Sequence, residues 1–209
     1  MVEFVDNIVQ FAVTLVAGCL SAVFYCRSRK QPYFLLACLY GCFALAGLYW
    51  TLYYLLFSET PQIFYVSETG WISGYVFLYL LQFTLSGKEE RAFRCPAMWL
   101  SPIVGILLAA YYVTYGDVFA TILMNTMMIL LSWHSIRGLV YWGGQGGEGR
   151  NLRHFHLAVI CFVTVEYCLW LSSCFWVSDT LTNPYFWFGF MLTGTVVVLL
   201  ITVKRAVGM

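Results

Sequence analysis

The chain has 209 residues, 61% of them hydrophobic and 10% charged, with a formal net charge of +1. Soluble domains carry about a quarter charged residues. A water-soluble fold of this size has no means of hiding so much apolar surface, so lipid is the expected solvent. With seven apolar runs in 209 residues no separate soluble domain is expected, and no nucleic-acid partner.

Seven apolar runs follow in chain order, at about 4–26, 33–57, 63–86, 97–114, 118–136, 155–177 and 184–203. Each comes near the roughly 20 residues that a helix needs to cross the hydrocarbon core. The runs are continuously apolar rather than alternating, which argues against barrel strands. Helices satisfy all their backbone groups within one segment, as hydrocarbon demands. The predicted fold class is an all-α integral membrane protein, a single domain over 1–209 with seven transmembrane helices. The first run holds Val16-Ala17-Gly18-Cys19, which looks like a lipoprotein cleavage box. Glu3 and Asp6 precede it, without the basic region that opens a signal peptide, so an uncleaved helix is expected. The third run starts near Ile63, with Glu68 in the outer interface. The cysteines lie inside runs or on the basic side, so no extracellular disulfide framework is expected.

The 11 Lys and Arg all follow odd-numbered runs. Arg27, Arg29 and Lys30 follow the first, and Lys88, Arg91 and Arg94 the third. Arg137, Arg150 and Arg153 follow the fifth, and Lys204 and Arg205 the seventh. With seven crossings they share one side, which the positive-inside rule makes cytoplasmic. Glu3, Asp6, Glu59, Glu68, Asp117 and Asp179 fall on the other. The expected location is the cell membrane, with the N-terminus extracytoplasmic and the C-terminus cytoplasmic.

The chain also matches itself. Laying Trp50 on Trp170 lays Ser58-Glu59-Thr60 on Ser178-Asp179-Thr180. Laying Phe11-Ala12 on Phe119-Ala120 lays Tyr25 on Trp133 and Arg29 on Arg137. The first run thus pairs with the fifth and the second with the sixth. The glycine-rich loop 143–149, a flexible tether, absorbs the difference in spacing. These matches imply a parallel 3+1+3 repeat joined by the fourth run. That plan is similar to those of the SWEET sugar transporters and the microbial rhodopsins. The rhodopsin likeness implies retinal on a lysine within the seventh helix. The lysines here, Lys30, Lys88 and Lys204, all sit at the basic boundary, so no covalent retinal is expected and no other cofactor is implied.

Glu166 lies near the centre of the sixth run, where a carboxyl costs about 2.5–3.5 kcal/mol and usually faces the bundle interior or a cavity. Steps of three and four put Trp170 on its face. The third run offers Glu68, Trp71, Tyr75 and Gln82 on one stripe, the fifth Asn125, the second Trp50, and the seventh opens with Trp187. Rings and acids together favour a cation through their field and their ring faces. The expected ligand-binding residues are therefore Glu166, Trp170, Trp50, Trp71, Tyr75, Glu68, Asn125, Gln82 and Trp187. His134, His154 and His156 read as interfacial polar residues, and no metal site is expected.

Glu89-Glu90-Arg91-Ala92-Phe93-Arg94 resembles the EExxxR motif of the CPBP intramembrane proteases, whose paired carboxylates activate water. That family's FxxxH pattern is missing, since Leu130 stands four before His134, and Ala158 stands four after His154. The leading expectation is a small-solute transporter rather than an enzyme, taking a small-molecule or cation ligand from the outer side. A sensor acting through a separate cytoplasmic protein partner is the alternative.

Overall fold

Start and stop signals in the chain set the order of its helices. α1 (Val2–Ser28) carries Glu3 in its first turn and Arg27 in its last, each opposing the local end of the helix dipole. It closes at Arg29, whose left-handed φ of 56° turns its N–H onto the Tyr25 carbonyl at 2.7 Å. Pro32 then sits in the first turn of α2 (Gln31–Phe57). α3 (Tyr65–Leu85) and the short α4 (Lys88–Ala92) follow, and a 3-10 turn over Pro96–Trp99 leads into α5 (Leu100–Tyr112). α6 (Val118–Tyr141) and α7 (Glu148–Phe175) precede α8 (Pro184–Val207). Asn183 caps α8 by accepting the Tyr185 N–H at 2.9 Å, and Gly208 ends it in the left-handed conformation at φ 72°.

This computed structural model describes residues 2–57, 59, 61, 65–115, 118–144, 146, 148–176 and 178–208. Among them there is no strand. Five helices, α1, α2, α6, α7 and α8, are long and apolar enough to cross a membrane, and Pro96–Tyr112 forms a shorter apolar helix. Leu45, Leu56, Leu107 and Phe119 face outward, while Ser21, Gln82, Glu90, Ser135 and Glu166 are buried. A soluble protein has the opposite arrangement. The chain is a multi-pass helical membrane protein.

The helices differ from the predicted runs chiefly at the basic end. α6 continues past residue 136 to Tyr141, and α7 starts at Glu148 rather than 155. Hydropathy registers where the apolar surface stops, whereas backbone hydrogen bonding continues through Arg137, Arg150 and Arg153. The fourth run is shortened to α5 because Pro96 and its neighbours form the 3-10 turn. The predicted extension of the third run to Ile63 lies outside the described residues, as do Ser58, Thr60 and Asp117, and Gln145 and Gly147 of the tether.

Packing follows the order α1, α2, α3, α6, α7, α8 and back to α1, a closed ring with α5 outside against α6 and α7. The two ends of the ring differ in charge. At one end the Glu3 N–H donates to Asp179 Oδ1 at 2.9 Å, and the Trp50 indole to Glu3 Oε1 at 3.3 Å. At the other, Lys30 Nζ donates to the Val207 carbonyl at 3.1 Å and an Arg137 guanidinium N–H to the Arg91 carbonyl at 3.2 Å. Between them Tyr40, Phe43, Leu78, Leu81, Met128, Leu131, Phe162 and Leu199 form an apolar core.

Candidate functional site

Stripes on four helices meet inside the acidic end of the ring. On α1, Glu3, Asp6, Gln10 and Thr14 recur at steps of three and four and so share a face. Phe162, Glu166, Trp170 and Ser173 do the same on α7, Tyr185, Gly189, Leu192 and Val196 on α8, and Glu68, Trp71 and Tyr75 on α3. They line one cavity of about 300 Å³, at the small end of small-molecule pockets. Among the described residues its lining holds four carboxylates and no Lys, Arg or His.

The cavity has a mouth, a middle and a floor. At the mouth Trp50 holds Glu3, and Tyr112 Oη lies 3.3 Å from Ser173 Oγ. In the middle, Trp50 and Trp71 face each other with ring centres 6.2 Å apart, and Tyr112 and Trp170 at 5.8 Å. Glu166 sits deepest of the carboxyls and is 4% exposed. The Tyr75 hydroxyl donates to its Oε1 at 2.8 Å, and Trp170, one turn along the same helix, stands beside it in the lining. Below it Phe43, Tyr75 and Phe162 close the floor with ring centres 5.8–6.2 Å apart. Tyr40 braces that floor by donating to the Val196 carbonyl at 2.7 Å.

Asp6 is the carboxylate with the least company. It is 7% exposed, and its Oδ1 has no hydrogen-bond partner. Its carboxyl lies against the Gly189 backbone so closely that a Cβ there would meet Oδ2 at 2.6 Å. Glycine at 189 is what admits the carboxylate between α1 and α8.

Six of the residues expected from sequence, Glu166, Trp170, Trp50, Trp71, Tyr75 and Glu68, line this cavity. Asn125 does not; its Oδ1 accepts from the Tyr167 hydroxyl at 3.0 Å, beside a separate void of about 10 Å³. Gln82 lies toward the basic end, donating to Ser135 Oγ at 2.6 Å. Trp187 is 57% exposed and donates to the Leu181 carbonyl at 2.9 Å. Sequence reasoning missed Asp6, Tyr112 and Tyr185. Asp6 was readable in principle, since Asp6, Gln10 and Thr14 stand four apart along an otherwise apolar helix.

The basic end holds a second polar cluster, and no cavity among those described reaches its centre. Glu90 is 1% exposed, accepting from Ser86 Oγ at 2.7 Å and from the Trp142 indole at 2.9 Å. His156 Nε2 lies 3.1 Å from Glu90 Oε1, out of line for a straight hydrogen bond. Burial pushes the Glu90 carboxyl up, but His156, Ser86 and Trp142 together outweigh it and hold the group below its ordinary 4.5. The His156 ring rests on Gly138, where a Cβ would meet it at 2.3 Å. Nearby, Arg137 and His134 Nδ1 are 2.6 Å apart. Among the described residues no three His, Cys, Asp or Glu converge to hold a metal ion.

No family model matches the chain, and neither a curated protein nor a solved structure resembles it significantly.

Proposed function

We propose that the protein is a small-solute transporter that takes a cationic solute from the side on which the acidic end opens. The observation that carries this reading is the cavity of about 300 Å³, with four carboxylates, no Lys, Arg or His among its described lining residues, and Glu166 above its aromatic floor. A field of one sign concentrates counter-ions, and ring faces attract cations further. The cavity ends halfway along the bundle, and beyond it the Glu90 cluster is closed. One open and one closed end is the form expected of a single state in alternating access.

The same reading takes seven passes in the cell membrane, α4 and the 3-10 turn lying outside the bilayer. The gathering of basic residues at one end supports an extracytoplasmic N-terminus and a cytoplasmic C-terminus. The grouping of α1–α3 and α6–α8, with α5 outside the ring, supports a 3+1+3 plan. Glu90 and His156 are struts in this account rather than a protease centre, because Ser86, Trp142 and Gly138 enclose them. A sensor is the second reading. It draws on Arg27, Lys30, Lys88, Arg94 and Arg205, which are exposed and leave a basic surface for a separate protein partner.

The test is uptake into proteoliposomes from a panel of small amines, with and without a pH gradient. Uptake is expected for the native protein and at least a tenfold loss in Glu166→Gln, with its elution as a folded species unchanged. No flux together with a co-purifying partner selects the sensor. Full flux in Glu166→Gln reduces that residue to a bonding partner of Tyr75.

A further inference from the structure

The carboxylates of the cavity are spaced along its depth rather than gathered at one point. On α1 the lining runs from Glu3 to Thr14, on α7 from Phe162 to Ser173 and on α8 from Tyr185 to Val196. Each stretch covers about 16 Å at roughly 1.5 Å per residue. Asp6 stands three residues below the mouth on α1, and Glu166 seven below it on α7. The two levels are therefore separated by about 6 Å along the axis. Glu166 already has the Tyr75 hydroxyl on its Oε1, whereas Asp6 Oδ1 is buried without any partner. A buried carboxylate oxygen left unsatisfied costs about 1–3 kcal/mol or more, and the residue that carries it lines the cavity.

Resting on the cation reading above, we propose that the solute is a linear diammonium or polyammonium compound, one ammonium at Asp6 and the next at Glu166. Two charges fixed on a chain suit two carboxylates one level apart, which a single small cation spans poorly. An extended chain of three to five methylenes carries its terminal nitrogens about 5–7.5 Å apart, from C–C and C–N bonds of roughly 1.5 Å. The methylenes between would lie along Trp71 and Trp170, where apolar surface is already present, and the ammonium at that level would pair with the Asp6 carboxylate. The carboxylates at the mouth, Glu3 and Glu68, extend the series outward and would attract a third charge.

The test is tryptophan-fluorescence titration of the purified full chain in detergent. The probes are α,ω-diaminoalkanes of two to eight methylenes and n-alkylamines of matching length. The expected result is binding of the diamines at least tenfold tighter than of the matching monoamines, with an optimum at three to five methylenes. In Asp6→Asn that ratio is expected to fall to about one, and in Glu166→Gln both series weaken. The chain-length series needs only the native protein, so a poorly folding variant does not decide the outcome. Equal affinity for monoamine and diamine, or affinity that simply rises with chain length, overturns the diammonium assignment while the cation reading stands. Binding of neither series overturns both.

Discussion

Two buried carboxylates, one near each end of the bundle, received opposite treatment from the fold. Glu90 at the basic end has a hydroxyl, an indole and an imidazole around it, within 3.1 Å. Asp6 at the acidic end has a glycine behind it and an oxygen with no partner, beside a cavity. The first arrangement closes the structure and the second keeps it open. In a chain this apolar, burial alone does not mark a site. What marks it is burial without satisfaction, next to space.

Removing Glu90 should produce the largest effect. Glu90→Ala leaves the Trp142 indole and the Ser86 hydroxyl buried without their acceptor and His156 without the carboxylate beside it, and breaking such a cluster costs about 3–5 kcal/mol. A correspondingly lower melting temperature in detergent is expected. The native cluster should also be acid-labile. Because folding depresses the Glu90 pKa, its contribution is present above about 4.5 and is lost as pH falls through the depressed value. A melting temperature that stays level from pH 6 to pH 3 counts against this account of the basic end.

The next effect in size tests how tightly that end is closed. Gly138→Ala places a methyl 2.3 Å from the His156 ring, and overpacking of this kind costs about 1–3 kcal/mol. Gly194→Ala on α8 meets nothing within 4 Å and should be neutral, or gain up to about 1 kcal/mol from helix propensity. Equal melting temperatures for the two variants would mean that His156 does not rest where the comparison needs it.

The smallest expected change has the opposite sign. Asp6→Asn removes a charge that the fold does not satisfy, and should raise stability by about 0.5–2 kcal/mol while weakening binding, a trade between stability and function. Loss of stability on that substitution would make Asp6 a second strut and erase the contrast with Glu90.

Five of the helices were legible because their apolar runs are long and unbroken, and proline or glycine marks several helix ends. Their true limits at the basic end were not, since hydropathy follows the solvent and α6 and α7 continue beyond the apolar surface. Glu166 stood out as a lone acid in mid-run, and periodicity tied Trp170 to it. Asp6 was hidden by its place near the start of α1, where an acid also serves the helix dipole and the interface. Gln82 and Asn125 had the polarity expected of lining residues, but their helices turn them toward Ser135 and Tyr167, a choice decided by tertiary packing. The contact between Glu90 and His156 joins residues far apart in sequence, and nothing local announces it.

Asp6 on α1 and Gly189 on α8 stand 183 residues apart in the chain, so the cavity has a consequence for biogenesis. α1 must enter the membrane while α8 is still untranslated. Until Gly189 arrives, the Asp6 carboxyl has no wall behind it, and such a group costs about 2.5–3.5 kcal/mol at mid-membrane and less near the interface. Its position close to the start of α1 keeps that waiting period near the headgroups. The pocket is thus complete only once α8 has inserted, and a ribosome stalled before α8 leaves α1–α7 made and the cavity without its Gly189 wall.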